Sequence, residues 1–68
     1  MYNRQVEKLR VKKSLYQQFI GFKIIVAVKG YKWISGKLKE VSEYEILLET
    51  DNGLLLIPKS NILYIVVE

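Results

Sequence analysis

The 68-residue sequence contains no cysteine and no histidine. Disulfide staples and thiolate metal sites are therefore excluded, and zinc, haem and imidazole acid–base chemistry lose their usual ligands and bases. Ser14, Ser35, Ser42 and Ser60 have no histidine to activate them as nucleophiles. There is no glycine-rich phosphate loop. Glu40, Glu43, Glu45, Glu49 and Asp51 read as strand-surface and turn residues, with no pair at metal-site spacing. The expectation is a non-catalytic protein without metal or cofactor. Long apolar runs are also missing: a stretch such as Leu54 to Pro58 is far too short to cross a bilayer. The charged start from Arg4 to Lys13 leads into no clean apolar run and no small-residue cleavage site. A cytoplasmic protein without membrane contact is expected.

What is present is apolar character, at 50% of residues, and a concentrated positive charge. Residues 1–68 suffice for one small domain, and a chain of this size usually needs a staple or a partner. The net charge of +4 is unevenly placed. Arg4, Lys8, Arg10, Lys12 and Lys13 face a single acid, Glu7, in the first 13 residues, and the remaining six lysines are balanced by six acids. A local basic patch points to a polyanionic partner, although a solvated helix face has the same composition.

The spacing predicts a helix over about residues 5–20. Val6 and Leu9 begin an apolar stripe that Leu15, Phe19 and Ile20 continue, Val11 interrupts it, and Gly21 is placed to close the helix in a left-handed conformation. Leu15, Phe19 and Ile20 are expected to pack the helix across one open end of the barrel, with its basic face outward. The period then becomes two. Ile24, Val26 and Val28 alternate with Lys23, Ile25, Ala27 and Lys29 before a turn at Gly30. Ile34, Gly36, Leu38 and Val41 form the inner set of the next strand. Ser42 and Glu43 turn the chain into Tyr44, Ile46 and Leu48. Asp51-Asn52-Gly53 is a hairpin signal. Leu54 to Ile57 is a short strand ended by Pro58, and Ile62 to Val67 is the last strand. Gly36, inside a strand, marks a bend or a close approach. One helix and five short antiparallel strands suggest a strongly bent small barrel over about residues 22–67.

The last two strands lack polar alternation, so both faces of each want cover. An open edge of this kind invites pairing with other chains. A homo-oligomer closed by cyclic symmetry is the economical solution. A fully buried strand in a monomer is the alternative.

From Leu15 to Val67 the chain resembles the Sm-like proteins, which include the bacterial Hfq branch. The resemblance rests on Ile24, Val26, Val28, Gly36, Leu38 and Val41 in register, on Tyr44 at a base-stacking position, and on Asn61-Ile62 in the second motif. It implies an N-terminal helix, a five-stranded barrel of SH3-like topology, a hexameric or heptameric ring and binding of single-stranded RNA. Departures are several. Gly30 stands beside the expected turn glycine position, which Tyr31 holds. Ser42 replaces an aspartate, Ile46 an asparagine, and Pro58 and Lys59 an arginine and a glycine. Lys59 resembles a lysine of the Hfq branch, with Ser60 in place of its histidine. Uridine selectivity therefore does not carry over, and a structural or protein-interaction module that has lost RNA binding is the rival reading.

The candidate RNA-binding residues fall into two groups. On a pore side, Tyr44 stacks on a base, and Lys59, Ser60 and Asn61 supply charge and hydrogen bonds. The alternatives are a core or subunit-contact tyrosine and an ordinary solvated turn. On the periphery and outer face stand Arg4, Lys8, Arg10, Lys12 and Lys13, together with Tyr31, Lys32 and Trp33, where lysines interleave with aromatics as single-stranded nucleic acid requires. Trp33 as a subunit or helix contact is the alternative.

Overall fold

The structure, a computed structural model, describes residues 15–68. It opens with a short 3-10 helix, Leu15–Phe19, in place of the C-terminal part of the expected helix. The rest of that helix lies outside the described residues. Five strands follow: β1 (Lys23–Val28), β2 (Lys32–Val41), β3 (Glu45–Thr50), β4 (Gly53–Pro58) and β5 (Ile62–Val67), with a 3-10 turn at Lys59–Asn61 before the last.

Period-two alternation in β1, β2 and β3 buries one face. Ile24, Val26, Leu38, Ile46 and Leu48 are almost fully buried, and Ile57 of β4 joins them. Tyr16, Phe19, Val28, Ile34, Val41, Ile62 and Ile65 pack around this cluster. Leu38 and Val41, three apart, both serve the core because a bulge between Leu38 and Glu40 absorbs the odd residue. Gly36 is a close-approach glycine: a Cβ there would lie 2.5 Å from the Glu49 carbonyl oxygen and 2.9 Å from Leu48 Cγ. The helix end is tied to β2. The Gly21 N–H donates to the Leu38 carbonyl at 2.7 Å, and the Leu38 N–H donates to the Phe22 carbonyl at 3.0 Å. Gly21 has the positive φ, 95°, that its place after the helix calls for. Of the three apolar residues expected to dock the helix, only Phe19 does so, with its ring edge-on to Phe22. Leu15 and Ile20 are exposed, and Tyr16 takes their place.

The strand order is β4-β3-β2-β1-β5, and this corrects the expected architecture. Closing a barrel within the chain requires the two outermost strands to hydrogen-bond. Here β4 pairs only with β3, and β5 only with β1. The sheet is open, with β4 and β5 as its two edges. The closed, strongly bent small barrel is not formed. The Sm-like and Hfq-like resemblance, with the SH3-like topology it implies, is not supported by this sheet. Alternation, a bulge and a mid-strand glycine specify neighbours and local twist. They do not specify whether the first and last strands of the order meet.

Candidate nucleic-acid interface

The turn between β2 and β3 is held by Ser42. Its N–H donates to the Glu45 carbonyl at 2.9 Å, and its Oγ accepts from the Glu45 N–H at 3.1 Å. Its hydroxyl also lies 3.1 Å from Glu45 Oε1. This side-chain-to-backbone arrangement is typical of serine in turns. It presents Tyr44 outward with 71% of its surface exposed. Tyr44 precedes β3 and stays out of the core, which removes the core alternative and leaves the subunit-contact one.

Backbone contacts gather the rest of this group. The Lys59 N–H donates to the Tyr44 carbonyl at 2.7 Å, and the Lys29 N–H donates to the Asn61 carbonyl at 2.9 Å. Tyr44, the 3-10 turn Lys59–Asn61 and the end of β1 are therefore neighbours. Ser60 and Asn61 are exposed and Lys59 is half-buried. The Lys59 ammonium sits 4.9 Å from the centre of the Tyr16 ring, a cation–π contact that restricts where its charge can point. Tyr16, which helical spacing offers only as an alternative to Lys13 in the apolar stripe with Val6 and Leu9, is the member of this cluster absent from the candidate site residues. The i,i+3 spacing to Phe19 marks it as helix core rather than as a lysine partner.

Tyr31, Lys32 and Trp33 lie at the start of β2. Tyr31 is 86% exposed and holds a left-handed backbone, φ 63°. Trp33 is 64% exposed on the face opposite the core. It stands across from Ala27, which in turn stands across from Tyr64 of β5. The indole N–H donates to the Tyr64 hydroxyl at 3.2 Å. Two aromatic rings thus flank Ala27, which is only 3% exposed although it faces away from the core. Tyr64 was hidden in a strand that reads as uniformly apolar. Only the strand register shows it to share a row with Trp33. Arg4, Lys8, Arg10, Lys12 and Lys13 lie outside the described residues.

Charge on this outer face is mixed. Lys23 and Lys37 stand opposite each other on β1 and β2, and Lys37 stands opposite Glu49 on β3. Glu49 also meets the Lys39 ammonium at 3.7 Å, an exposed pair that contributes little to stability. Among the described residues no group of three or more Asp or Glu side chains is placed to hold a metal ion, and no helix is long and apolar enough to cross a membrane. Compared with known protein families and with curated proteins, the chain matches none.

Proposed function

We propose that the chain is a non-catalytic, self-assembling protein that binds single-stranded RNA. One observation carries this reading: an exposed tyrosine, Tyr44, is hydrogen-bonded through its backbone to Lys59, beside Ser60 and Asn61. An aromatic face accepts a base of any sequence, an ammonium group meets a phosphate, and hydroxyl and amide groups reach sugar or base edges. The clustered positive charge of the first 13 residues adds sequence-independent attraction. The two sheet edges support self-assembly. Both carry exposed apolar side chains, Leu54 and Leu56 on β4 and Tyr64 and Val66 on β5. Pairing β4 of one copy with β5 of the next would satisfy both edges at once, and head-to-tail contact of this type forms a ring where the rotation between copies closes and a filament where it does not. Repetition of a weak site around an oligomer raises avidity.

The test is fluorescence anisotropy with short oligo-uridine, oligo-adenine and mixed-sequence RNA at two salt concentrations. Mild base preference, a steep salt dependence and loss of affinity in Tyr44→Ala and Lys59→Ala are the expected results. An assembled protein that binds no RNA at low salt would refute the proposal.

A second reading has its own observation. The outer-face patch of Trp33, Tyr64 and Val66 is apolar enough to suit a protein partner, as in a structural or interaction module. Purification separates the two. Nucleic acid carried through salt washing, seen in the ratio of absorbance at 260 and 280 nm, favours RNA. A protein recovered in its place favours the module.

A further inference from the structure

Leu15 and Ile20 have the spacing of residues that dock a helix, yet they expose 72% and 44% of their surface. Phe22 exposes 48%, and Val67 on β5 exposes 37%. These side chains form one patch. Leu15 and Val67 share the walls of a groove of about 320 Å³ with Tyr16, Phe19 and Ile65. The Phe19 ring then meets the Phe22 ring edge-on, with 5.7 Å between their centres. No charged side chain lines the groove.

The net charge at this end comes from the chain that enters it. Across Gly21 a second groove holds Lys23 and Lys37 with Glu49 and Asp51, and these four charges cancel. Glu68 adds one negative charge beside Lys23, whose carbonyl accepts from the Glu68 N–H at 3.1 Å. Against this, residues 1–13 carry Arg4, Lys8, Arg10, Lys12 and Lys13 with Glu7 alone to offset them. Lys12 and Lys13 are within three residues of Leu15, a span of about 10 Å at most. No acid occurs anywhere between Lys8 and Lys39. An exposed apolar patch therefore adjoins a segment of strongly positive charge.

We propose that this end of the molecule attaches to the surface of an anionic lipid bilayer. Leu15, Ile20 and Phe22 enter the boundary between headgroups and acyl chains, and the basic segment is held by the headgroup charge. Charge complementarity selects this partner, since anionic headgroups attract basic segments within a Debye length of the surface. Hydrocarbon beneath the headgroups takes the aliphatic side chains. Each signal alone gives marginal binding, and the two together give stable attachment. Single-stranded RNA matches the charge but not the patch, because Leu15, Ile20 and Val67 have no ring on which a base can stack. The expectation of no membrane contact came from the lack of a run long enough to span a bilayer, and surface attachment needs no such run. The proposal shares the basic segment with the RNA reading but uses none of Tyr44, Lys59, Ser60 or Asn61.

The full-length protein would be pelleted with vesicles of phosphatidylcholine alone and of phosphatidylcholine mixed with phosphatidylglycerol, at low and high salt. Binding about tenfold or more stronger to the anionic vesicles, and weakened by salt, is expected. Leu15→Gln with Ile20→Gln changes two exposed side chains, so the fold is kept, and should weaken vesicle binding by about tenfold. That variant should bind RNA as before, and Tyr44→Ala should bind vesicles as before, so the two readings fail separately. Insertion is read by fluorescence. Trp33 is the only tryptophan in the chain, so Phe22→Trp in a Trp33→Phe background puts the single indole in the patch. Its emission should shift to the blue on anionic vesicles. Equal pelleting with both kinds of vesicle, unchanged binding in the Leu15 and Ile20 variant, or binding without a blue shift would overturn the proposal. Loss of RNA binding or of self-assembly in that variant, with vesicle binding kept, would assign the patch to nucleic acid or to a second copy instead.

Discussion

The middle of the sheet and its two edges are built from the same kinds of side chain and end in opposite conditions. In β1, β2 and β3 every second residue is apolar, and the central ones are buried: Ile24, Val26, Leu38, Ile46 and Leu48 expose 1% or less of their surface, with Val28, Ile34 and Val41 half-buried around them. In β4 the unbroken Leu54-Leu55-Leu56 leaves all three leucines exposed, two of them by more than 60%. β5 leaves Leu63, Tyr64, Val66 and Val67 exposed. In β2 the alternation gives one face a use inside the chain and leaves the other to water, whereas β1 is apolar on both faces and buries Ala27 on the outer one. Loss of alternation at an edge leaves apolar side chains that the chain itself does not cover. Folding energy lies in the centre, and under the proposed self-assembly association energy would lie at the margins.

The sharpest way to break the comparison is to cut the same side chain from both regions. Leu48→Ala removes a fully buried side chain beside Gly36 and should cost about 2–5 kcal/mol, read from urea denaturation. Leu56→Ala removes an exposed one and should change the stability of the separated chain by about 0.5 kcal/mol or less. A comparable loss at both positions would mean that β4 is covered as deeply as β3.

The edges are tested by charge rather than by truncation. Leu56→Lys with Val66→Glu places one charge on each edge strand. Each single variant should convert the assembly to smaller species in sedimentation equilibrium while the circular dichroism of the sheet is kept. The double variant should recover part of the assembly if β4 meets β5, since the new charges then face each other. Disruption by neither single variant would place the subunit contact elsewhere. At the Tyr44–Lys59 end the effect is smaller. Tyr44→Ala should weaken RNA binding by about 1–3 kcal/mol per stacked base, with melting behaviour unchanged because the ring is exposed.

Much of the chain order could be read before its geometry. Alternation placed β1 to β3 and named their buried members, Asn52-Gly53 placed the hairpin, and Pro58 placed the end of β4. In the hairpin the positive φ belongs to Gly53, at 122°. Closure was not legible. Whether β4 meets β5 depends on how the short turn Lys59–Asn61 delivers the chain to the far edge, and no local pattern encodes that. The candidate residues were named individually from their types. Their grouping came from backbone contacts, such as Lys59 to Tyr44, between segments 15 residues apart. Tyr64 escaped notice because its neighbours are all apolar, and its partner Trp33 is 31 residues away.

The smallest expected effect concerns the turn between β1 and β2. Gly30 and Tyr31 both hold positive φ, 94° and 63°. Glycine adopts this region freely, whereas an L-residue with a Cβ is strained there by about 1–2 kcal/mol. Tyr31 is 86% exposed, so its ring gains little from packing that would offset the strain. Tyr31→Gly relieves the strain and enlarges the entropy of the unfolded chain, which takes back about 0.5–1 kcal/mol. A net gain of at most about 1.5 kcal/mol remains, equivalent to a rise in Tm of up to about 12 °C for a domain of this size. Gly30→Ala should do the reverse, because it introduces a Cβ at φ 94°. RNA anisotropy on the stabilised variant then separates two roles for the ring. A firmer fold with weaker RNA binding shows that a strained tyrosine is kept for the ligand it touches. A lower Tm in Tyr31→Gly would show instead that the ring is held against the sheet or a neighbouring copy in the assembled protein.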